Sequence, residues 1–392
     1  MDAWGVVDSP RKLRLIRFGL NPSRAGCVAN VACTVPTPGS HGQGAFLMKL
    51  TVIGIDIGGQ SLKWGLYSAG SDGLCADVGA RRRATSVVET GPQSTPNVTF
   101  ARLYEQIISR TGRLDTSTLL VGVSTPGLIQ SGTILASANL PDWHGTHLPS
   151  LISQIFGVSA DRVAVANDAV CHTTNIACRN PHDRVFCLTI GTGVVGGFAA
   201  GSRVLTDAVG CGEIGHLPSD SRGYSGVLDT VSTGFAAWTC PCGSLGCVEL
   251  VVSGPGLLRL GRYAAVRLND PAFTAALGMQ NSPQQNLSAL VERARYGDPI
   301  ACDVFALAGV VLANAAAPIR SFFNPSLIAV TGGVARSFDL LRPAFERRLG
   351  ELCFPNNSLC SSAYSHRIAV DPSGLTGVAG AAELAVRQFQ AY

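Results

Sequence analysis

Charged side chains are scarce in this chain, and the residues beyond the first 48 carry almost no net charge. Asp, Glu, Lys and Arg make up 14% of 392 residues, while hydrophobic residues make up 46%. Residues 1–48 carry +3 of the net charge of +4, so the remaining residues are close to neutral. Without a broad basic surface, the protein lacks the electrostatic attraction that draws a protein to nucleic acid phosphates. The composition indicates a folded chain and not a disordered one, and we expect no nucleic acid partner.

No apolar run in the sequence is long enough to span a bilayer. The run at residues 304–313 is bounded by Asp303 and Asn314, whereas a spanning helix needs about 20 apolar residues. A signal peptide is also lacking, and 13 cysteines in a chain without one are typical of a reducing compartment. We therefore expect a cytoplasmic protein that does not bind a membrane.

The P-loop motif is missing too, since neither GxxxxGKS nor GxxxxGKT occurs. What the sequence has instead is a repeated pattern of strand, glycine turn and returning strand. Residues 50–57 are a continuous apolar strand followed by Gly58-Gly59, and the strand at residues 184–190 runs into a second glycine turn at Gly191. The repeat predicts a duplicated α/β unit.

The remaining patterns predict alternating strands and helices. Asn97 is a predicted cap for a helical stripe that starts at Phe100. Residues 1–48 contain four prolines and no sustained period, and we expect either a disordered tail or a misassigned start with Met48 as the true one. Further strands are predicted at residues 119–124, 162–166 and 327–331, and helices at residues 148–156, 169–177, 299–322, 338–350 and 376–390.

A tight loop, CPCGSLGCVE, carries three cysteines, Cys240, Cys242 and Cys247. Thiolates at this spacing can converge on one tetrahedral zinc ion, while two glycines supply the turns. A disulfide is the alternative, although it leaves one thiol over. His216 is the nearest histidine before the loop, so a Cys3His zinc site is the favoured interpretation.

The same loop resembles the pattern CxCGxxGCxE of the ROK family, whose members are repressors, open reading frames of unknown role, and sugar kinases. GEIGH, which ends at His216, resembles the other signature of that family, and the similarity continues in order from about residue 50 to the C-terminus. One departure is the spacing: residues 217–239, rich in Ser, Gly and Thr, read as an inserted loop.

The resemblance implies a two-lobed actin-like ATPase (ribonuclease H-like) fold with a cleft between duplicated α/β domains. We expect a first lobe of residues 49–171, completed by a helix at residues 374–392, and a second lobe of residues 172–373 that holds the cysteine loop. Residues 1–48 are too few for the winged helix-turn-helix of ROK repressors, which favours a kinase. The alternative is a non-catalytic, sugar-sensing regulator or binding protein.

As a kinase of this type, the protein is expected to transfer the γ-phosphate of ATP, with Mg²⁺, to the 6-hydroxyl of a hexose such as glucose or of an N-acetylhexosamine. The zinc is structural in the family, and members are commonly homodimers. From spacing alone, Asn167-Asp168 is an ordinary helix cap, and Asn139 in NLPDW is equally a turn residue. The resemblance makes Asp168 the general base and assigns sugar binding to Asn139, Asn167, Glu213, His216 and Glu249.

Nucleotide binding is implied for three glycine loops. Asp56 at a strand end predicts a Mg²⁺ contact through water, but a DxGG turn by itself is a weak signal. Its resemblance to the family's DxGGTxxK loop strengthens it. Each loop departs from the family at one position, with Gln60 replacing Thr and with Val195 and Thr331 replacing Gly. The residues assigned to the nucleotide are Asp56, Gly58, Gly59, Gln60, Lys63, Gly191, Thr192, Gly193, Gly332 and Gly333.

Overall fold

The computed structural model describes most of the chain beyond residue 49. Described are residues 50–58, 61–70, 85–89, 95–137, 139–205, 210–229, 234–277, 282–352 and 366–390. The predictions made for residues 1–48, Gly59 and Gln60 lie outside the described residues.

Twelve strands occur in the described residues. They are β1 (Leu50–Ile57), β2 (Ser61–Ala69), β3 (Thr85–Glu89), β4 (Leu119–Thr125), β5 (Leu128–Gln130), β6 (Thr133–Ala136), β7 (Val163–Asn167), β8 (Arg184–Ile190), β9 (Val194–Ala200), β10 (Arg203–Val204), β11 (Leu327–Thr331) and β12 (Arg367–Val370).

The same part of the chain forms ten α-helices. They are α1 (Pro96–Thr111), α2 (Leu148–Phe156), α3 (Asp168–Arg179), α4 (Glu249–Val252), α5 (Gly254–Arg267), α6 (Pro271–Ala276), α7 (Pro283–Arg295), α8 (Pro299–Phe323), α9 (Phe338–Leu352) and α10 (Thr376–Gln390).

Two five-stranded sheets share one connectivity. The first has the order β3-β2-β1-β4-β7 and the second β10-β9-β8-β11-β12. In each, the leading strand pairs antiparallel with the strand that follows it and parallel with the next long strand, as β1 does with β2 and β4, and β8 with β9 and β11. The duplicated α/β architecture predicted from the glycine turns is therefore confirmed.

The first sheet is covered on both faces, which explains why β1 is apolar at nearly every position. Ile53 and Ile55 pack with Phe100 and Leu103 of α1 on one face. Val52 and other residues of the opposite face pack with α10.

Helix α10 lies unusually close to this sheet. A Cβ on Gly54 would be 2.1 Å from the carbonyl oxygen of Val378, and one on Gly122 would be 1.8 Å from that of Ala381. Only glycine leaves room for the helix backbone at these two positions, so the pair fixes where α10 docks.

One cap prediction is wrong. Helix α1 begins at Pro96 with Thr95 as its N-cap residue, so Asn97 lies inside the first turn. Proline is favoured there because its fixed φ suits a helix and its missing N–H would have had no partner in the helix. The signal from Pro96 outweighs that from an asparagine one residue later.

The prediction that no apolar run is long enough to span a bilayer is wrong for the segment around residues 304–313, which lies within α8. Helix α8 is the one described helix long and apolar enough to cross a membrane, with a mean hydropathy of 2.0. Residues inside the protein cover it, however, since 78% of its apolar window is buried. It is therefore the central helix of the core around the second sheet. The predicted lobe boundary after Cys171 falls inside α3, which packs on α10 and on β8 and β9, and the division into lobes stays a prediction.

Candidate active site

A cavity of about 590 Å³ lies where the glycine turns of the two sheets and the segments after β4 and β7 meet. Asp56, Lys63, Gly332 and Gly333 do not line it. The predicted residues that do are Gly58, Asn139, Asn167, Asp168, Gly191, Thr192, Gly193, Glu213, His216, Cys242 and Glu249.

Asn167 and Asp168 lie at the junction of β7 and α3, and Asn167 is the helix cap that its residue type predicts. Its Oδ1 accepts a hydrogen bond from the Ala169 N–H at 2.7 Å, and its Nδ2 donates to the Gly127 carbonyl at 2.8 Å. The Asp168 carboxylate accepts from the same Ala169 N–H at 2.9 Å. These contacts hold the first turn of α3 rigidly, with Asp168 at the cavity wall.

The Asp168 carboxyl has an unusual electrostatic environment. Part of its surface opens to the cavity, but protein surrounds it on the other sides. This burial, and next the negative charge of Asp56, raises its pKa from the ordinary 3.8 to about 7. Burial also raises the pKa of Glu213 across the cavity. A carboxyl that titrates near neutral pH is suited to exchanging protons with a ligand.

Four side chains form a compact cluster at one end of the cavity, namely His216, Cys240, Cys242 and Cys247. Their potential ligand atoms all lie within 4.8 Å of one another. Cys242 Sγ is 3.7 Å from Cys247 Sγ, and Cys240 Sγ is 3.6 Å from His216 Nδ1. A tetrahedral zinc ion sets sulfur–sulfur distances of about 3.8 Å and sulfur–nitrogen distances of about 3.6 Å. Donor type, number and spacing therefore all fit zinc.

The inserted residues 217–239 do not move His216 away from this cluster. At the start of the insert, the Leu217 carbonyl accepts from the Val248 N–H at 3.0 Å, and the Ser219 N–H donates to the Gly246 carbonyl at 2.7 Å. At its end, the Trp238 carbonyl accepts from the Gly246 N–H at 2.8 Å. Both ends are thus fastened to the cysteine loop.

The middle of the insert docks on the long helices beyond. The Tyr224 hydroxyl donates to Asp303 Oδ2 at 2.7 Å, and Asn314 Nδ2 donates to the carbonyls of Asp220 and Arg222 at 2.6 and 3.0 Å. Asp303 and Asn314 both belong to α8. The described part of the insert therefore packs against the core of the second sheet.

In the first glycine loop, the predicted residues divide into two groups. Asp56 ends β1, where its Oδ1 accepts from the Ser124 hydroxyl at 2.7 Å, and the Gly58 N–H donates to the Ser61 carbonyl at 2.8 Å. Lys63 instead donates from Nζ to the Gly374 carbonyl at 3.1 Å. Its ammonium group thus joins β2 to the turn before α10.

A backbone hydrogen bond closes the second loop, and the third loop passes close to the residue that precedes the second loop. The Gly191 N–H donates to the Gly193 carbonyl at 2.8 Å. Gly332 has φ of 92°, and a Cβ on it would be 2.4 Å from the Ile190 carbonyl oxygen. Val195, one of the three departures from the family pattern, lines the cavity.

Thr331, another departure, is fully buried and does not line the cavity. Its hydroxyl lies 3.0 Å from His172 Nδ1 and 2.9 Å from the Thr189 hydroxyl. Burial lowers the pKa of His172, so the ring is neutral at pH 7 and hydrogen-bonds as such. This threonine therefore links α3 to the two central strands of the second sheet.

His144 is a cavity residue that the sequence did not point to. Its Nε2 accepts from the Ser137 N–H at 2.8 Å and so holds the turn that carries Asn139. The only sequence signal is its position directly after NLPDW, and no periodicity or metal spacing marks it.

Comparison with known proteins places this arrangement in a family. The family described as ROK matches residues 52–388, which is most of the chain. The chain belongs to the ROK family. Among its curated relatives, a glucokinase from Thermotoga maritima is 27% identical over 312 residues, covering 79% of this ROK protein and 90% of that one. An N-acetyl-D-glucosamine kinase from Erwinia tasmaniensis is 27% identical over 313 residues, covering 77% and 90%.

A solved structure shows the same architecture. The ROK family glucokinase from Streptomyces griseus, in complex with glucose and AMPPNP, matches with a TM-score of 0.65 at 27% identity, covering 86% of this ROK protein and 99% of that chain. The actin-like ATPase fold predicted from the sequence is confirmed by this likeness and by the paired sheets.

Proposed function

We propose that this ROK protein is a sugar kinase that transfers the γ-phosphate of ATP to a hydroxyl of a hexose or an N-acetylhexosamine. The observation that carries the proposal is a cavity lined by Asp168, by five further polar side chains and by the first two glycine turns. Its volume is within the range of small-molecule sites. Relatives named for glucose and N-acetylglucosamine phosphorylation support both substrate classes.

Asp168 would act as the general base. Transfer of a phosphoryl group needs a carboxylate that accepts the proton of the attacking hydroxyl, and the rest of the catalysis is positioning and charge stabilisation. The Asn167 cap and the Ala169 N–H fix the position of Asp168, so the sugar hydroxyl can approach one oriented acceptor. We assign the 6-hydroxyl as the acceptor, because it is the primary alcohol of a hexose and reaches furthest from the ring.

The sugar ring would lie against Asn139, Asn167, Glu213, His216 and Glu249. Glu213 Oε2 is 3.8 Å from His216 Nε2, so two of these side chains are already oriented by each other. Carboxylates and amides pair with adjacent hydroxyl groups, and the paired arrangement favours a polyol over an apolar ligand.

The glycine loops would hold ATP, with Asp56 holding Mg²⁺ through water. A half-buried carboxylate at a strand end is a hard oxygen donor of the kind Mg²⁺ prefers. Bound magnesium neutralises charge on the transferring phosphates. Backbone N–H groups of Thr192 and Gly193 would orient those phosphates, and Lys63 would act from β2, where it holds the turn before α10.

Zinc would be structural in this proposal. Three thiolates and a histidine fill all four positions of a tetrahedral ion, which leaves none open for a substrate. The ion would fix the loop that presents Glu249 and the turn that presents His216 and Glu213. We further propose that the protein is a cytoplasmic homodimer.

An activity assay tests the function. With Mg·ATP, purified protein is expected to form ADP only when a sugar from a panel of glucose, mannose, N-acetylglucosamine and N-acetylmannosamine is present. The matched control is 6-deoxyglucose, which lacks the assigned acceptor and should give no turnover. Sugar binding in calorimetry without ADP formation would contradict the kinase and favour a sugar-sensing regulator.

The pH dependence of the reaction follows from the raised pKa of Asp168. Only the ionised carboxylate accepts a proton, and with a pKa of about 7 it is protonated progressively as the pH falls below that value. We expect kcat/KM for the sugar to level off above about pH 8 and to fall to roughly a tenth of the plateau at about pH 6. Direct detection of ADP across this range measures it. A flat profile would contradict the assignment.

A further inference from the structure

Glu249 lies between the cysteine loop and the second glycine loop and contacts both. It follows Cys247 by two residues and begins α4. Its Oε2 accepts a hydrogen bond from the Val194 N–H at 3.1 Å. Val194 is only 1% exposed, so this N–H needs an acceptor inside the protein. Glu249 supplies it.

The approach between the carboxylate and the glycine loop is close. A Cβ on Gly193 would lie 2.6 Å from Glu249 Oε2, so the carboxylate rests directly on the loop backbone. A second tie follows one turn later, where the Gly254 N–H donates to the Gly191 carbonyl at 2.8 Å. The segment after the cysteine cluster is therefore attached to the loop at two points.

The other carboxylate oxygen is available to a ligand. Among the residues that the structure describes, Oε1 of Glu249 accepts no hydrogen bond, and the side chain is half-buried and lines the cavity. One oxygen thus holds the glycine loop, while the other has no hydrogen-bond donor among the described residues and belongs to a side chain that lines the same cavity as Asp168.

We propose that Glu249 is a positioning residue for the nucleotide, in addition to contacting the sugar. Its carboxylate holds residues 191–194 in the conformation that receives phosphate groups. The inference rests on the proposed function, because it assumes that this loop binds ATP.

The decisive measurement is the affinity for Mg·AMPPNP in the absence of sugar, by isothermal titration. Glu249→Ala leaves the buried Val194 N–H without its acceptor and should raise Kd by about tenfold. Glu249→Gln keeps an acceptor oxygen at the same position and should stay within about twofold of wild type. Asp161→Asn changes an exposed carboxylate outside the active-site cavity, so the nucleotide Kd should not change.

A cycle with Gly193→Ala separates positioning from general damage. A Cβ on residue 193 would displace the Glu249 carboxylate from the loop. Gly193→Ala should therefore weaken nucleotide binding when Glu249 is present, and weaken it much less in the Glu249→Ala background. Equal zinc content in all variants would confirm that the cysteine loop is intact.

Three outcomes overturn the inference. They are an unchanged Kd in Glu249→Ala, additive losses in the cycle, and equal losses in Glu249→Ala and Glu249→Gln. If the wild-type protein binds no Mg·AMPPNP at all, the proposed function fails together with the inference. If the wild type binds and Glu249→Ala binds equally well, the inference alone fails.

Discussion

Asp168→Asn is expected to lower kcat by about 10²- to 10⁴-fold, the usual contribution of a general base. Asparagine has nearly the same shape and keeps an oxygen that can accept from the Ala169 N–H, so the turn at the start of α3 should not move. What disappears is the carboxylate that takes the proton. Steady-state ADP formation with the preferred sugar measures the loss.

The same substitution should not destabilise the protein, which distinguishes a catalytic loss from a folding loss. The pKa of Asp168 in the folded protein is about 7 and its ordinary value is 3.8. A carboxyl with a raised pKa lowers the free energy of unfolding when it ionises. This loss is absent below about pH 4, grows between about pH 4 and about pH 7, and is complete above that. At about pH 8 the variant should therefore have a Tm equal to or above that of wild type, and at about pH 4 the two should converge.

Asp161→Asn is the matched control, because Asp161 is an exposed aspartate before the same strand and does not line the active-site cavity. Its activity should equal that of wild type. Full sugar-dependent turnover in Asp168→Asn would contradict the assignment of the base.

Loss of the proposed zinc ion is expected to have the second large effect. The purified protein should contain about one zinc ion per chain, and Cys247→Ser should lose it, because Cys247 is fully buried within the cluster. Since structural zinc contributes directly to folding, both Tm and sugar affinity should fall. Elemental analysis, thermal unfolding and calorimetry measure the three effects.

Cys302→Ser serves as the control, because Cys302 is a half-buried thiol on α8 that lies outside the cluster. It should retain the zinc. A thiol titration in denaturant with a chelator separates zinc from a disulfide, since it should detect all 13 cysteines. A count of about 11, with no zinc in the native protein, would show that two of the loop cysteines are bonded instead.

The elements that the sequence predicted well are those whose signals are local. β1, β8 and β11 are apolar runs that are each followed by glycine, and their observed bounds match the predicted ones. Helix α2 was equally clear because its apolar residues recur at helical spacing. In such segments the consecutive residues alone predict which side chains are buried.

Contacts between distant residues could not be predicted this way. Lys63 and its partner Gly374 are 311 residues apart, and no periodicity relates a side chain on β2 to a carbonyl before α10. Thr331 looked like a change in the nucleotide loop, whereas its side chain is buried against His172. Which way a strand residue points depends on the register of the sheet and not on the residue itself.

The close packing of α10 on the first sheet has a consequence for folding during synthesis. β7, the last strand of the first sheet to be made, leaves the ribosome about 200 residues before Thr376, which is roughly 10 to 40 s of synthesis. During that interval the face around Gly54 and Gly122 lacks α10, while all five strands of the second sheet are synthesised. The first sheet to be synthesised is therefore the last to be completed.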